Sequence, residues 1–441
     1  MVNIRHEAYD IIVKVLKNNE YSDNLLQQKA KRLRHHDHSQ VALLYQMVKG
    51  TVKYKLHLDY ICQQFTDKAR YSKTEIKVKA LLYLGLFQLI FLKSIPDHAA
   101  INETVELAKT LYGEGIAGLV NSVLRSYQRN PGIKYPESII ERIAYEHSYP
   151  VELVQDWVEQ WGEEQTEMLA MFFNETPKLH LRVNTFATER KKLQLYFEKR
   201  NVGCSLSPSS SNMLVCENAI DALEDVAFSE GYFSIQDTSA AMIVELLDPQ
   251  PGESVLDLFA APGGKCTYIA EKMQNTGEVI AVDKTPAKMK LLKQSAERLQ
   301  LNNISLVVKD AFQYGPIAPA YHRVLVDAPC SGWGVMGRKA DLRWQQHQNI
   351  QELTKLQEKA INYAANFVKS EGFMVYSTCT MNPMENEQQI ENFLKKNRQF
   401  ELVNAVSILP ADFVTKEGYF RTVPFKHFMD GAFAAKLAKV K

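Results

Sequence analysis

Cysteine is scarce in this chain: six in 441 residues, at positions 62, 204, 216, 266, 330 and 379. None forms a Cys-x-x-Cys pair, which argues against a zinc ribbon and a thioredoxin-like redox motif. So few cysteines cannot staple a disulfide scaffold, and free thiols in a reducing cytoplasm are the expectation. Long apolar runs are also missing. The most apolar stretch, Ala80–Leu92 (ALLYLGLFQLIFL), falls short of the roughly 20 residues that a spanning helix needs, so it predicts a buried core helix and no membrane partner. The opening MVNIRHEAYD carries charges and lacks a small-residue cleavage site, so no signal peptide is expected. No repeat of fixed period and no low-complexity tract stands out. With 46% hydrophobic and 23% charged residues, the rest is globular, and this length predicts two or three domains.

The formal net charge of +1 hides an asymmetry. Residues 1–135 hold 20 Lys and Arg against 12 Asp and Glu, while the remainder is net negative by 7. Histidines 6, 35, 36, 38 and 57 lie in the basic part. A basic domain joined to an acidic one suggests a polyanion as partner, although a solvated, lysine-rich helical surface has the same composition.

Residues 1–130 read as helices throughout. Val41, Leu44, Tyr45, Val48 and Val52 follow a helical period, as do Leu119, Val120, Val123, Leu124 and Tyr127. Ser22 or Asp23, and Asp97, are candidate helix caps. Asn130-Pro131-Gly132 and Pro136 mark a linker. Residues 137–235 are mixed: two helical stretches, then an alternating strand, Lys178–Thr185, with Leu179, Leu181 and Val183 on one face. From 236 onward strands at 254–259, 278–282, 304–308, 323–328 and 372–377 alternate with helices, followed by strand-like pieces at 419–423 and 431–436. The predicted architecture is multidomain. An all-α bundle (1–130) precedes a small α+β subdomain (137–235) and a doubly wound α/β domain with a parallel, Rossmann-like sheet (236–441).

The first strand of the last domain runs into Phe259-Ala260-Ala261-Pro262-Gly263-Gly264-Lys265 and then a helix. Small residues at a strand's carboxyl end let backbone approach a ligand. A Walker loop fails here, since Phe259 and Cys266 stand where Gly and Ser or Thr are required. A literal G-x-G-x-x-G at Gly332, Gly334 and Gly337 has no clear helix start after it and is read as chance. Asp283 ends the second strand, where a carboxylate accepts ribose hydroxyls; Asp310 ends the third, within reach of an adenine amino group. Each acid alone reads as a helix cap, whereas in this order they suit S-adenosyl-L-methionine.

Asp327-Ala328-Pro329-Cys330-Ser331-Gly332 ends the fourth strand and Ser377-Thr378-Cys379-Thr380 the fifth. Two cysteines on the cofactor side of one sheet fit methylation at a pyrimidine C5. A thiolate adding at C6 makes C5 nucleophilic, and a second group helps to remove the C5 proton afterwards. Asp327 is the candidate for hydrogen bonding N3 and the exocyclic amine, and Lys265 for the positive charge that favours a thiolate. No metal is called for.

These motifs are similar to those of the RNA cytosine-C5 methyltransferases: DLFAAPGGK (257–265), AVDK (281–284), Asp310-Ala311, DAPCSG (327–332), RKADLRW (338–344) and STCT followed by Glu385-Asn386-Glu387. LRVNT (181–185) and SIQDTSA (234–240) resemble the family too, and the N-terminal helices resemble its NusB-like RNA-binding domain. The resemblance implies a bacterial enzyme that methylates a cytosine of 16S ribosomal RNA, free or in an early small-subunit assembly particle, with no obligatory protein partner. It implies Cys379 as nucleophile and Cys330 as the product-release cysteine. The cofactor pocket would be Phe259–Lys265 with Asp283, Asp310 and Asp327. Lys49, Lys53, Lys55, Arg70, Lys73, Lys77 and Lys79 are the candidate phosphate contacts. Phe259 stands where the family often has Cys, and Ala432 where it has Phe, so Ala432 is expected to leave a smaller wall near the target base. Two other readings are a DNA-type enzyme, with Cys330 as nucleophile, and a non-catalytic RNA-binding factor.

Overall fold

The computed structural model describes residues 3–33, 38–217, 222, 225–315, 320–345 and 350–440. His35 and His36 lie outside the described residues. Two compact units emerge, one of residues 1–175 with 336–346, the other of residues 176–335 with 347–441. The stretch 137–235 therefore supplies helices to the first unit and strands to the second.

The first unit is helical. Ile4–Asn18, Ser22–Arg32, His38–Lys53, Lys55–Gln64, Ile76–Phe91, Asp97–Tyr112 and Glu114–Arg129 surround one apolar core, with Ile139–His147, Val151–Trp161 and Glu163–Asn174 following. Ile76–Phe91 runs through the middle, every residue from Ala80 to Gln88 buried, as its unbroken apolar run requires. The capping expectations need correction. Asn3 caps the first helix by accepting from the Arg5 and His6 amides. Ser22 caps nothing: its amide and hydroxyl both donate to Asp341, at 3.1 and 2.7 Å. Asp97 sits in the first turn behind Pro96, where a carboxylate still favours the helix dipole. No described helix is long and apolar enough to cross a membrane.

Asp341 belongs to RKADLRW, which lies far along the chain from these helices yet is built into them. Arg343 is fully buried and donates to the carbonyl oxygens of Lys53, His147, Ser148 and Phe173 at 3.1–3.4 Å, its guanidinium 4.0 Å from the Tyr149 ring. The Trp344 indole donates to the Val52 carbonyl, and Lys55 lies over its ring at 4.9 Å. Several candidate phosphate contacts are thereby engaged inside the unit. Lys53 reaches the carbonyls of Asn174 and Glu175, and burial followed by the charges of Arg343 and Lys49 pulls its ammonium down to about 7. Lys49 pairs with Asp23, and Lys79 with Asp59. Arg70 and Lys73 are exposed.

The second unit carries two sheets. The smaller is antiparallel with order β2-β3-β1-β4, from β1 (Leu179–Val183), β2 (Cys204–Leu206), β3 (Met213–Cys216) and β4 (Phe233–Ile235). Its register sets Cys204 opposite Cys216, and the two form a disulfide. This corrects the expectation of free thiols at those positions; spacing 12 apart carries no pairing signal until a hairpin brings the strands together. Cys62, Cys266, Cys330 and Cys379 are not in disulfides.

The larger sheet orders β10-β12-β9-β8-β5-β6-β7, with β11 (Phe420–Arg421) against β12. Its parallel centre is β5 (Ser254–Asp257), β6 (Glu278–Asp283), β7 (Ile304–Val308), β8 (Tyr321–Asp327) and β9 (Val368–Thr378). β12 (Phe433–Lys439) runs antiparallel to β9, and the edge strand β10 (Phe400–Val403) runs antiparallel to β12, so β12 alone reverses the direction of the centre and the sheet is mixed. Helices Thr238–Leu247, Gly264–Lys272 and Pro286–Arg298, and Ile350–Ala365 with Glu387–Lys396, pack its two apolar faces.

Arg343→Ala removes the donor shared by four carbonyls and leaves a void. An increase in free energy of about 2–4 kcal/mol is expected for the folded helical unit, read as a lower denaturant midpoint. An unchanged midpoint would mean that RKADLRW is dispensable to that unit.

Candidate active site

The site forms at the carboxyl ends of the parallel strands. β5 ends at Asp257, whose carboxylate is buried with the Phe259 backbone amide beside it. Burial, and then the Asp327 charge, push it up to about 7. After Phe259 the chain turns through Ala260–Gly263 into helix Gly264–Lys272. Gly263 has φ +108°, and a Cβ there would lie 2.5 Å from the Leu292 Cγ, so only glycine fits. A Cβ on Gly264 would make only ordinary contact with Gln236, at 3.6 Å. Phe259 packs edge-on against Phe312.

Asp283 and Asp310 are each half committed. One oxygen of Asp283 accepts from the Thr285 amide at 2.8 Å, and one of Asp310 from the Phe312 amide at 2.9 Å. Those are the cap contacts that each acid alone suggests, and the second oxygen of each accepts no bond from a described residue. A buried acid without a counter-ion at β5, a glycine turn and two half-free acids on β6 and β7 suit a ligand with an ammonium group, ribose hydroxyls and an adenine amine. S-adenosylmethionine has all three, and Asp257, Phe259–Lys265, Asp283 and Asp310 are the residues that would hold it.

β8 and β9 are parallel neighbours with Asp327 in register with Ser377. Their continuations bring the Cys330 and Cys379 sulfurs to 3.3 Å, both half-buried. The Cys379 amide also points at the Cys330 sulfur, at 3.4 Å. The hydrogen bond with Cys379, then burial, then the Cys379 and Glu385 charges, hold the Cys330 thiol well above its ordinary value. Lys265 donates to Asp327 at 2.8 Å, and Ser377 donates to the other oxygen at 2.9 Å. Burial lowers the Lys265 ammonium, but Asp327 and Cys379 more than offset this, so it stays raised and charged beside the thiols.

Four contributors carry no functional signal in the sequence. Asp257 was visible only as a strand end. Arg182, on β1, is fully buried and donates to Glu271, Gln236, Thr267 and the Gly264 carbonyl, which anchors the glycine turn. The strand is buried on both faces, so alternation could have exposed Arg182 only as a charge on a strand without a wet side. Glu385 was quoted as part of a motif without a role. Gly334 was read as part of a chance match; its amide donates to the Cys379 carbonyl, and a Cβ would lie 2.0 Å from the Gly431 oxygen. Ala432 needs correction as a pocket wall. It is 3% exposed, sits in the apolar core and donates its amide to Thr422.

The chain matches three family models. A family described as 16S rRNA methyltransferase RsmB/F matches residues 244–438, the NusB family matches 2–129, and an RsmF/B-like ferredoxin-like domain matches 149–222. The chain is similar to the probable ribosomal RNA small subunit methyltransferase B of Bacillus subtilis, 35% identical over 99% of both chains. Ribosomal RNA small subunit methyltransferase B of Vibrio cholerae is 30% identical, over 100% of this chain and 98% of that one. A crystal structure of a methyltransferase homolog from Pyrococcus horikoshii is similar at TM-score 0.60 and 25% identity, covering 69% of this chain and 100% of that one. With 35% identity sustained along nearly its whole length, the chain belongs to the S-adenosylmethionine-dependent 16S rRNA methyltransferase RsmB/F family.

Proposed function

We propose that this protein methylates C5 of a cytosine in 16S ribosomal RNA, free or in an early assembly particle, through a covalent bond between Cys379 and C6. The observation that carries this reading is the pair of cysteine sulfurs 3.3 Å apart beside the Lys265–Asp327 ion pair. Single-stranded or loop RNA is favoured, because the base must leave its stack to reach the thiols. Asp327 accepts from the exocyclic amine, its two oxygens held by Lys265 and Ser377. Lys265 supplies the positive charge that favours a thiolate at Cys379. When bound, S-adenosylmethionine supplies the electrophilic methyl group, and Asp257, Asp283 and Asp310 are its proposed anchors.

The division of labour between the cysteines, Cys379 adding and Cys330 releasing, is the one that the resemblance of their motifs implies. A charge on Cys379 holds the Cys330 thiol up. Once the Cys379 sulfur is bonded to C6 that charge is gone. Cys330 then releases its proton to water, takes the C5 proton, and the carbon–sulfur bond breaks to return Cys379 as a thiolate. Both cysteines end as they began. Exposed cations such as Arg70 and Lys73 are the better candidates for phosphate contacts than Lys49, Lys53, Lys55 and Lys79.

Cys379→Ala is expected to abolish methyl transfer while leaving S-adenosylmethionine binding unchanged. Cys330→Ala is expected to accumulate an enzyme–RNA adduct, seen as a slow band on a denaturing gel and absent from the double variant. Activity that survives in Cys379→Ala but not in Cys330→Ala would reverse the roles.

Asp283→Ala is expected to weaken cofactor binding by about 1–3 kcal/mol, measured by calorimetry. An equal dissociation constant would leave Asp283 as a turn cap alone.

The Asp257 carboxyl gives a pH test. Its folded value of about 7 lies above the ordinary 3.8, so between those values the folded state holds a proton that the unfolded chain releases. Stability of the cofactor-free protein should therefore fall as pH rises from about 4 to about 7, by an amount on the order of a few kcal/mol. Asp257→Asn should flatten that fall in thermal melts and weaken cofactor binding; a variant with the parent's pH profile would refute the assignment.

A further inference from the structure

Glu385 is fully buried, and no cation among the described residues forms an ion pair with it. Its carboxylate is instead wrapped around the turn that carries Cys330. One oxygen accepts from the Ser331 amide at 2.8 Å and from the Gln357 side-chain amide at 2.9 Å; the other accepts from the Ser331 hydroxyl at 2.6 Å. The same Gln357 nitrogen donates to the Pro329 carbonyl at 2.9 Å. Both peptide flanks of Cys330 are thus tied to one buried anion, directly or through Gln357. The Ser331 hydroxyl also meets the Thr380 hydroxyl at 2.8 Å, which bonds the Cys330 turn to the residue after Cys379. Glu385 is itself held: Tyr376, on β9, donates to its carbonyl at 2.7 Å.

A buried carboxylate without a cation is costly, and a chain needing only a packed turn does better with a neutral group. What the charge adds here is geometry and sign. Three donors converge on it, and a glutamine would turn an amide nitrogen toward a donor that needs an acceptor. We infer that Glu385 is a positioning residue for product release, holding the Pro329–Ser331 turn so that the Cys330 sulfur stays against that of Cys379. The negative charge also helps to keep Cys330 protonated until Cys379 is consumed, in line with the raised position of that thiol. The inference rests on the proposed role of Cys330 and adds the group that sets it in place.

The test compares Glu385→Gln, Glu385→Asp and Cys330→Ala in the full-length protein with an in vitro 16S ribosomal RNA transcript. Measured are the adduct fraction on a denaturing gel, kcat and KM for RNA, S-adenosylhomocysteine affinity and the thermal midpoint. Glu385→Gln should show adduct about tenfold above the parent and kcat about 10–100-fold lower, with KM and S-adenosylhomocysteine affinity within about threefold. Glu385→Asp, which keeps the charge, should recover part of kcat. Adduct in Cys330→Ala but parental levels in Glu385→Gln would overturn the inference, as would a loss of kcat matched by a loss of cofactor affinity. Adduct in neither would refute the Cys330 reading and this inference with it. If Glu385→Gln does not fold, Ser331→Ala removes one of the three contacts, and parental adduct levels and kcat there would overturn the inference.

Discussion

Bringing two sulfurs from loops 49 residues apart to 3.3 Å requires a rigid frame, and the parallel pairing of β8 with β9 provides it. In that pairing Asp327 lies level with Ser377, so both chains leave the sheet at the same height and turn into the same space. Much of what surrounds the site keeps those two turns from drifting. Gly334 and Gly431 approach closely enough for the Gly334 amide to grip the Cys379 carbonyl, which any side chain at either position would obstruct. Glu385 and Gln357 hold the Cys330 turn from beneath. Ser377 and Lys265 hold Asp327 from both sides.

The same economy appears at the cofactor end. Arg182 comes from the small antiparallel sheet, yet its guanidinium anchors the first helical turn after the glycine loop, with every N–H donating. A charge buried this deeply is tolerable because Glu271 and three further acceptors meet it. The small sheet therefore does more than link the neighbouring segments. It supplies a strut to the loop proposed to hold the methyl donor, and the two pieces of the second unit form one working part.

The helical unit shows how a surface inferred from composition changes once side chains have neighbours. Residues 1–135 are net positive, but several of their lysines serve internal ends. Lys53 is pulled down to about 7 by burial and by Arg343, Lys49 answers Asp23, and Lys79 answers Asp59. Net charge measures how many cations a domain has, while the fold decides which of them face a polyanion.

Local pattern was enough for the helices of the first unit, the five parallel strands and the glycine turn after β5, because each rests on an interaction between residues near in sequence. Periodicity of apolar residues selects helix or strand, and a glycine turn after a strand needs no distant partner to be visible. β12 was visible as a strand, but its antiparallel direction was not, since direction depends on how the chain returns to the sheet, and the edge strand β10 was not foreseen. Ser22 illustrates the same boundary: by sequence a helix cap, it is spent on Asp341, 319 residues away. The pairing of Cys204 with Cys216, the burial of Arg343 among helices distant in sequence, the place of Ala432 in the core and the grip of Glu385 on the Cys330 turn share that character. Each depends on which long-range partner a polar or small side chain meets, and a buried polar group's partner is set by the packed structure as a whole.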